Sequence, residues 1–178
     1  MALVVEDGTG LPTANSYLSV ATADAYHTEI CNEGWGGGQT KKEAALIRAT
    51  RWIDQHFDFL GGRIVLGDGT VTNLPQALNW PREGVVHEEG FAISPDTVPT
   101  EIVQATAEVA LAVMDYGDLE PSAAPGGTVS EELEKTGRTW VQTKFSAGGD
   151  AGEAQVPVAA SILEPLLALG SQRKLNRS

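Results

Sequence analysis

The chain has 178 residues, 42% of them hydrophobic and 20% charged, with 20 Gly, 9 Pro and one cysteine, Cys31. That length suits one domain, or one small domain with arms, and the composition argues against a wholly disordered chain or an intrachain disulfide scaffold. Twelve Lys and Arg face 24 Asp and Glu, a formal charge of −12, which disfavours general affinity for nucleic acid because such binding rests on neutralising phosphates with bases.

The start, Met1-Ala-Leu-Val-Val-Glu-Asp7, lacks the basic flank and long apolar stretch of a signal peptide. No run of about 18 apolar residues predicts a membrane span, so a soluble protein of a reducing cytoplasm is expected. Residues 1–18 read as extended, with turn residues at Asp7-Gly8-Thr9-Gly10 and a helix-blocking Pro12. Ser19 is placed to cap a first helix over Val20–Ile30, which Gly34-Trp-Gly-Gly-Gly38 stops. Thr40-Lys-Lys-Glu43 fits a capping box for a second helix over Lys41–Phe57. Leu46, Ala49, Ile53 and Phe57 form its apolar stripe, Trp52 lies beside them, and Arg48, Arg51 and Asp54 are free to point outward.

Ile64-Val-Leu66 and Thr70-Val-Thr72 flank Gly67-Asp68-Gly69 and read as a small hairpin. Pro75 suits the first turn of a short helix that Pro81 ends, with Leu78 and Trp80 filling the core, and Phe91-Ala-Ile93 reads as a short strand. A third helix begins near Pro99 and stops before Gly117. Its stripe of Ile102, Ala105, Val109 and Val113 pairs with that of the second helix, since neither can stay in water. Residues 120–127 read as a Pro/Gly/Ala linker. Glu131–Phe145 alternates weakly around a Thr136-Gly137 turn, predicting a β-hairpin or long β-arm. After a second loose stretch, 146–152, Ile162, Leu163, Leu166 and Leu167 predict a short apolar helix that Pro165 kinks or divides. The last eight residues carry Arg173, Lys174 and Arg177 and no acid, so residues 1–170 carry −15 and an acidic body ends in a basic tail. Such a tail is either a solvated terminus or a docking segment for an acidic partner.

The fold class expected is therefore mainly α: a small helical bundle with short β-hairpin or β-arm insertions and an extended C-terminal tail. Its organisation is a helical core with a hairpin insertion over 1–120, a linker and β-arm over 121–157, and an apolar turn or helix with a basic tail over 158–178. The core rests on Leu46, Ile53, Phe57, Leu78, Trp80, Ile102, Val109 and Val113.

Chemistry-bearing patterns are sparse, and no catalytic, cofactor-binding or metal-ligating set emerges. The glycines at 34–38 lack the Gly-Lys-Ser/Thr ending and preceding strand of a phosphate loop, and no Gly-x-Ser-x-Gly elbow occurs. His27 and Cys31 stand four apart near the end of the first helix, but two ligands do not make a zinc site. They read instead as a partly buried thiol beside a surface imidazole. His56 and His87 stand alone in their segments. The carboxylates, among them Glu88-Glu89, Glu131-Glu132, Asp115 and Asp118, match no calcium loop and read as a solvated face. Trp35, Trp52, Trp80 and Trp140 read as core or interface anchors, because few bases lie near them.

Ala14-Asn-Ser-Tyr17, Ala23-Asp-Ala-Tyr26, Trp35, Lys42–Thr50 with Trp52-Ile-Asp54, Gln76-Ala-Leu-Asn-Trp-Pro-Arg-Glu-Gly-Val85, Val98-Pro99 and Gln104–Ala110 together carry a resemblance. The chain resembles the tailed-phage proteins labelled "DnaT-like putative single-stranded DNA-binding", and is similar to the head–tail connector, or adaptor, proteins of long-tailed phages. The likeness covers about residues 1–120 and continues more loosely through the tail; the Gln76–Val85 string is its most specific part. The adaptor likeness implies a virion neck protein, assembled in the host cytoplasm, that forms a ring, commonly of twelve copies, under the portal. It implies docking on the portal through the C-terminal segment, here Arg173, Lys174, Leu175, Asn176, Arg177 and Ser178. Loops or β-arms would touch neighbouring copies and the next neck or tail-completion protein, placing Arg82, Trp140, Val141 and Phe145 at subunit interfaces. Double-stranded DNA would pass through without sequence-specific binding, and no cofactor, membrane or enzymatic step is implied. The other label implies binding of single-stranded DNA. Charge favours the ring: an acidic wall repels passing DNA instead of trapping it, whereas a single-strand groove needs bases and stacking aromatics.

Overall fold

The computed structural model describes residues 2–63, 76–87, 89–116, 131–136, 139–144 and 156–168. They form two compact units, Met1–Gly117 with Val156–Ser178, and Asp118–Gln155. The fold is mainly helical.

In the first unit, α1 (Val20–Glu29) starts where expected: the Ser19 hydroxyl accepts from the Thr22 amide at 3.1 Å. Helix α2 (Gln39–His56) begins earlier than the capping box predicts. Gly38 takes the extended cap position without a side-chain bond, Thr40 lies inside the helix, and Glu43 receives a hydrogen bond from Gln39 Nε2 at 2.8 Å, one turn back. The stretch Asn32–Gly38 can reach that start because Trp35 anchors it, as described below. Helix α3 (Thr100–Tyr116) has Pro99 as its cap, whose carbonyl accepts from the Ile102 and Val103 amides. Near the C-terminus, α4 (Pro157–Leu163) is followed by a 3-10 turn, Glu164–Leu166, so Pro165 divides the predicted helix into two pieces.

The core lies where α2, α3 and α4 meet. Leu46, Ala49 and Ile53 of α2 face Ile102, Ala105, Val109 and Ala110 of α3, and all are sealed from solvent. Phe57, Leu78, Trp80 and Val113 are buried as well, and Ala159, Leu163 and Leu166 close the third side. The small side chains at 45, 49, 105 and 110 let the helices approach closely. Thr106, buried in α3, returns its hydroxyl to the Ile102 carbonyl at 2.7 Å and so leaves no orphan polar group. The C-terminal turn is tied back to the end of α2: the Leu60 amide donates to the Leu166 carbonyl and the Ala168 amide to the Asp58 carbonyl.

Two loops pack against this bundle. Residues 76–81 are not the predicted short helix. They form bends that lead, through a cis Trp80–Pro81 bond, into β2 (Arg82–Glu83), which pairs antiparallel with β1 (Gly62–Arg63). Side chains have taken over the backbone groups a helix would use, as the next subsection shows. Gly61, at φ +68°, makes the crossing into β1 possible: a Cβ there would stand 2.3 Å from the Glu83 carbonyl oxygen. Phe91–Ile93 supplies a bridge from Ala92 to Val86 in place of a full strand. The predicted hairpin at 64–72 lies outside the described residues. The N-terminal segment carries no helix and holds one bridge, Val5 to Ser16. Its order comes from Glu6, which is buried and accepts from the amides of Gly8, Gly10 and Leu11 at 2.8–3.0 Å. Gly8, at φ +99°, lies so close to the entrance of α3 that a Cβ would stand 2.0 Å from the Asp96 carbonyl oxygen.

The second unit contains β3 (Glu131–Thr136) and β4 (Thr139–Lys144), antiparallel, with Thr136 opposite Thr139 and Glu131 opposite Lys144. The predicted hairpin is thus present with a two-residue loop.

Leu46→Ala or Ile53→Ala is expected to destabilise the fold by about 2–5 kcal/mol, because each removes a fully buried branched side chain from a packed seam. Urea unfolding checks this: the midpoint falls with an unchanged slope.

Candidate functional site

Residues from three of the strings that carry the family likeness meet in one partly buried polar network at the C-terminal half of α2. Tyr17 lies almost wholly buried, its amide donating to Thr50 Oγ1 at 3.3 Å and its hydroxyl to Asp54 Oδ1. The Asn79 amide is shared between Asp54 Oδ2 at 3.0 Å and the Tyr17 hydroxyl at 3.1 Å, and the Trp80 amide reaches the same hydroxyl at 3.2 Å. Asn79 Nδ2 donates to the Asp54 carbonyl at 2.9 Å, where the last turn of α2 leaves carbonyls unpaired. Gln76 Nε2 bridges the carbonyls of Leu78 and Pro81. These bonds replace the backbone ladder that a helix over 76–81 would have made.

Asp54 therefore points inward, contrary to the outward face that helical periodicity gave it. Burial pushes its carboxyl up to about 6, against the pull of the Tyr17 hydroxyl and the Asn79 amide, and burial beside this carboxylate raises the Tyr17 phenol well above its ordinary range. Two guanidinium groups close the network from outside. Arg63 donates to Asn79 Oδ1 at 2.9 Å and to the Gln76 carbonyl at 3.4 Å. Arg82 clamps four carbonyls: Leu60 at 2.7 Å, Gly61 at 2.7 Å, Phe59 at 3.2 Å and Asn79 at 3.3 Å. The guanidinium expected at a subunit interface is bonded here to carbonyls of its own chain, which the 59–61 turn presents to it.

A second cluster fixes the glycine-rich stretch. Trp35 Nε1 and Lys42 Nζ both donate to Asp24 Oδ1, at 2.6 and 2.7 Å, and the ammonium lies 5.5 Å from the Trp35 ring centre. His27 stacks on the same indole at 4.7 Å, and Tyr26 donates to Glu108 of α3 at 2.7 Å. His27 is 1% exposed while Cys31 is exposed, the reverse of the sequence expectation. The turn after α1 explains the exchange: Cys31, at φ +55°, has left the helix and swings outward. Burial lowers the His27 pKa, so the imidazole is held neutral.

These clusters shape and staple the fold. Among the described residues no group of three or more His, Cys, Asp or Glu is placed to hold a metal ion, and no helix is long and apolar enough to cross a membrane. Trp35, Trp52 and Trp80 are buried. With Lys42, Arg63 and Arg82 engaged, the remaining bases of residues 1–117 are Lys41, Arg48 and Arg51, all exposed on α2. Trp140 and Val141 lie on β4, opposite Lys135 and Glu134. Phe145 and the segment Arg173–Ser178 lie outside the described residues. Sequence reasoning missed Tyr17, Asp54 and Asn79 as a set; the one available signal was the shared presence of Asn15-Ser16-Tyr17, Trp52-Ile-Asp54 and Leu78-Asn-Trp80 in the strings that carry the resemblance.

Fold and network together define a small, mainly helical module with internally committed signature residues and an appended β-hairpin. The chain belongs to the family described as "Putative DnaT-like ssDNA binding protein", whose model matches residues 1–178, beyond the 1–120 over which the likeness is most evident. No curated protein and no solved structure matches it.

The two shifted groups oppose each other in pH. Asp54 holds its proton in the fold up to about 6 but near 3.8 when unfolded, so it adds stability as pH falls from 7 to 4, at most on the order of 3 kcal/mol. His27 resists protonation in the fold and removes stability as pH falls below 6.5. Asp54→Asn is therefore expected to melt at a lower temperature at pH 5 than at pH 7, while the wild type changes less. Parallel melting curves across this range would contradict the assignment.

Proposed function

We propose that the chain is a structural adaptor of a tailed-phage neck, forming a ring beneath the portal and docking on it through Arg173–Ser178. The ring gives passing DNA an acidic conduit and gives the next neck or tail protein a platform. No catalytic step or cofactor belongs to this reading, and the assembled protein resides in the virion. The observation that carries it is the fate of the bases and aromatics. A groove for single-stranded nucleic acid combines cations that track phosphates with rings on which bases stack. In the described helical unit the tryptophans are buried and half the bases are tied to carbonyls or to Asp24, while residues 1–117 hold 16 acids against six bases. The hairpin also supports the reading. A two-stranded sheet is marginal in water, and its own unit offers no second layer among the described residues, so it gains much from a neighbouring copy.

The family description favours a second reading, binding of single-stranded DNA. The two separate cleanly. Deleting Ser171–Ser178 is expected to leave the melting temperature unchanged and to abolish joining to portal-bearing heads; normal joining would refute the docking role. A labelled single-stranded oligonucleotide is expected to run free of the full chain at about 0.15 M salt. Retention there, with affinity falling steeply as salt rises, would replace the adaptor reading with the second one.

A further inference from the structure

Two surface features of the helical unit complement each other. The first is a groove of about 320 Å³ between α2 and α3. Ala44, Ala45, Val113 and Met114 form its floor, and Lys41 and Arg48 stand on its rim. The alanines keep the floor shallow and open, and neither rim cation makes an ion pair among the described residues. Lys41 and Arg48 lie two helical turns apart, about 10 Å along the axis, so they bracket the apolar floor.

The second feature is the tip at residues 85–93. The Ile93 amide bonds to the Val85 carbonyl, the His87 amide to the Phe91 carbonyl and the Gly90 amide to the His87 carbonyl, and Phe91 stacks on His87 at 4.5 Å. These bonds make the tip a defined projection. It nevertheless leaves Val86 and Phe91 each 52% exposed. Its sequence holds Glu88 and Glu89 and no base, and none of its described residues lines the groove of its own chain.

We propose that the tip of one copy seats in the α2–α3 groove of the next, Phe91 on the apolar floor and Glu89 against Lys41 and Arg48. Bulk charge argues for this orientation. Copies of so acidic a unit repel one another unless each contact uses the face with unpaired cations, and that face is on α2. The contact joins unlike surfaces, so it is head-to-tail, the kind of contact that builds a ring when its rotation closes. It deepens the adaptor reading by naming the surfaces through which copies meet, and rests on that reading for its biological setting.

Sedimentation of the full chain over a concentration series, without portal, tests it. Lys41→Glu with Arg48→Glu, or Glu88→Lys with Glu89→Lys, is expected to weaken self-association at least tenfold. All four substitutions in one chain restore it, because the charges are exchanged, not lost. Ala44→Trp, which fills the groove at an exposed helix position, abolishes association with charge unaltered. A wild type that stays monomeric throughout, or association indifferent to these changes, overturns the proposal. Joining of the same chains to portal-bearing heads is scored separately: heads joined without this contact sink the groove assignment alone, and absence of joining by the wild type sinks the adaptor reading.

Discussion

The structure depends on one half-buried acid. Asp54 lies at the end of α2, where helical carbonyls lose their partners, and a segment with almost no regular structure of its own, residues 76–82, is held against it. A carboxylate taken from water is costly unless donors surround it. Here the donors are a buried phenol, a shared backbone amide and, one layer out, two guanidinium groups bound to the same loop. Each supports the others: without the loop Asp54 lacks its amide, and without Asp54 the Asn79 amide keeps only the Tyr17 hydroxyl. Trp80, fully buried, is delivered to the bundle by this arrangement.

The same economy sets the electrostatic character of the surface. Arg63 and Arg82 serve the loop and Lys42 serves Asp24, so three of six bases in residues 1–117 act as internal struts. The remaining three share one helix, and the unit becomes more polarised than its composition implies. Among the described residues of 1–117 the unengaged cations thus lie together on α2. The proposed contact between copies rests on that distribution.

Much of the helical framework was legible in the sequence. The stripes of α2 and α3, the Ser19 cap and the division at Pro165 are short-range effects written in spacing and residue type. The polar network was not, because the bonds that join Tyr17, Asp54 and the 79–80 loop link positions 25 to 63 residues apart. Helical periodicity alone makes Asp54 an outward acid, and Pro75 with Pro81 makes 76–80 resemble a short helix; only the tertiary partner Tyr17 reverses both. The positions of His27 and Cys31 were misjudged for a related reason. Which face of a short helix is covered depends on where the following loop returns, and that is set by Trp35. The capping box at Thr40 failed because Gly38, one residue before the helix, already provided an extended cap.

The first eighteen residues show what the absence of helix and strand conceals. Their amides converge on the Glu6 carboxylate, and Gly8 meets the chain ahead of α3 backbone against backbone, with no room for even a methyl group. This segment is a keystone: trimming it would remove the wedge against which the third helix is set, and any side chain at position 8 would push two main chains apart.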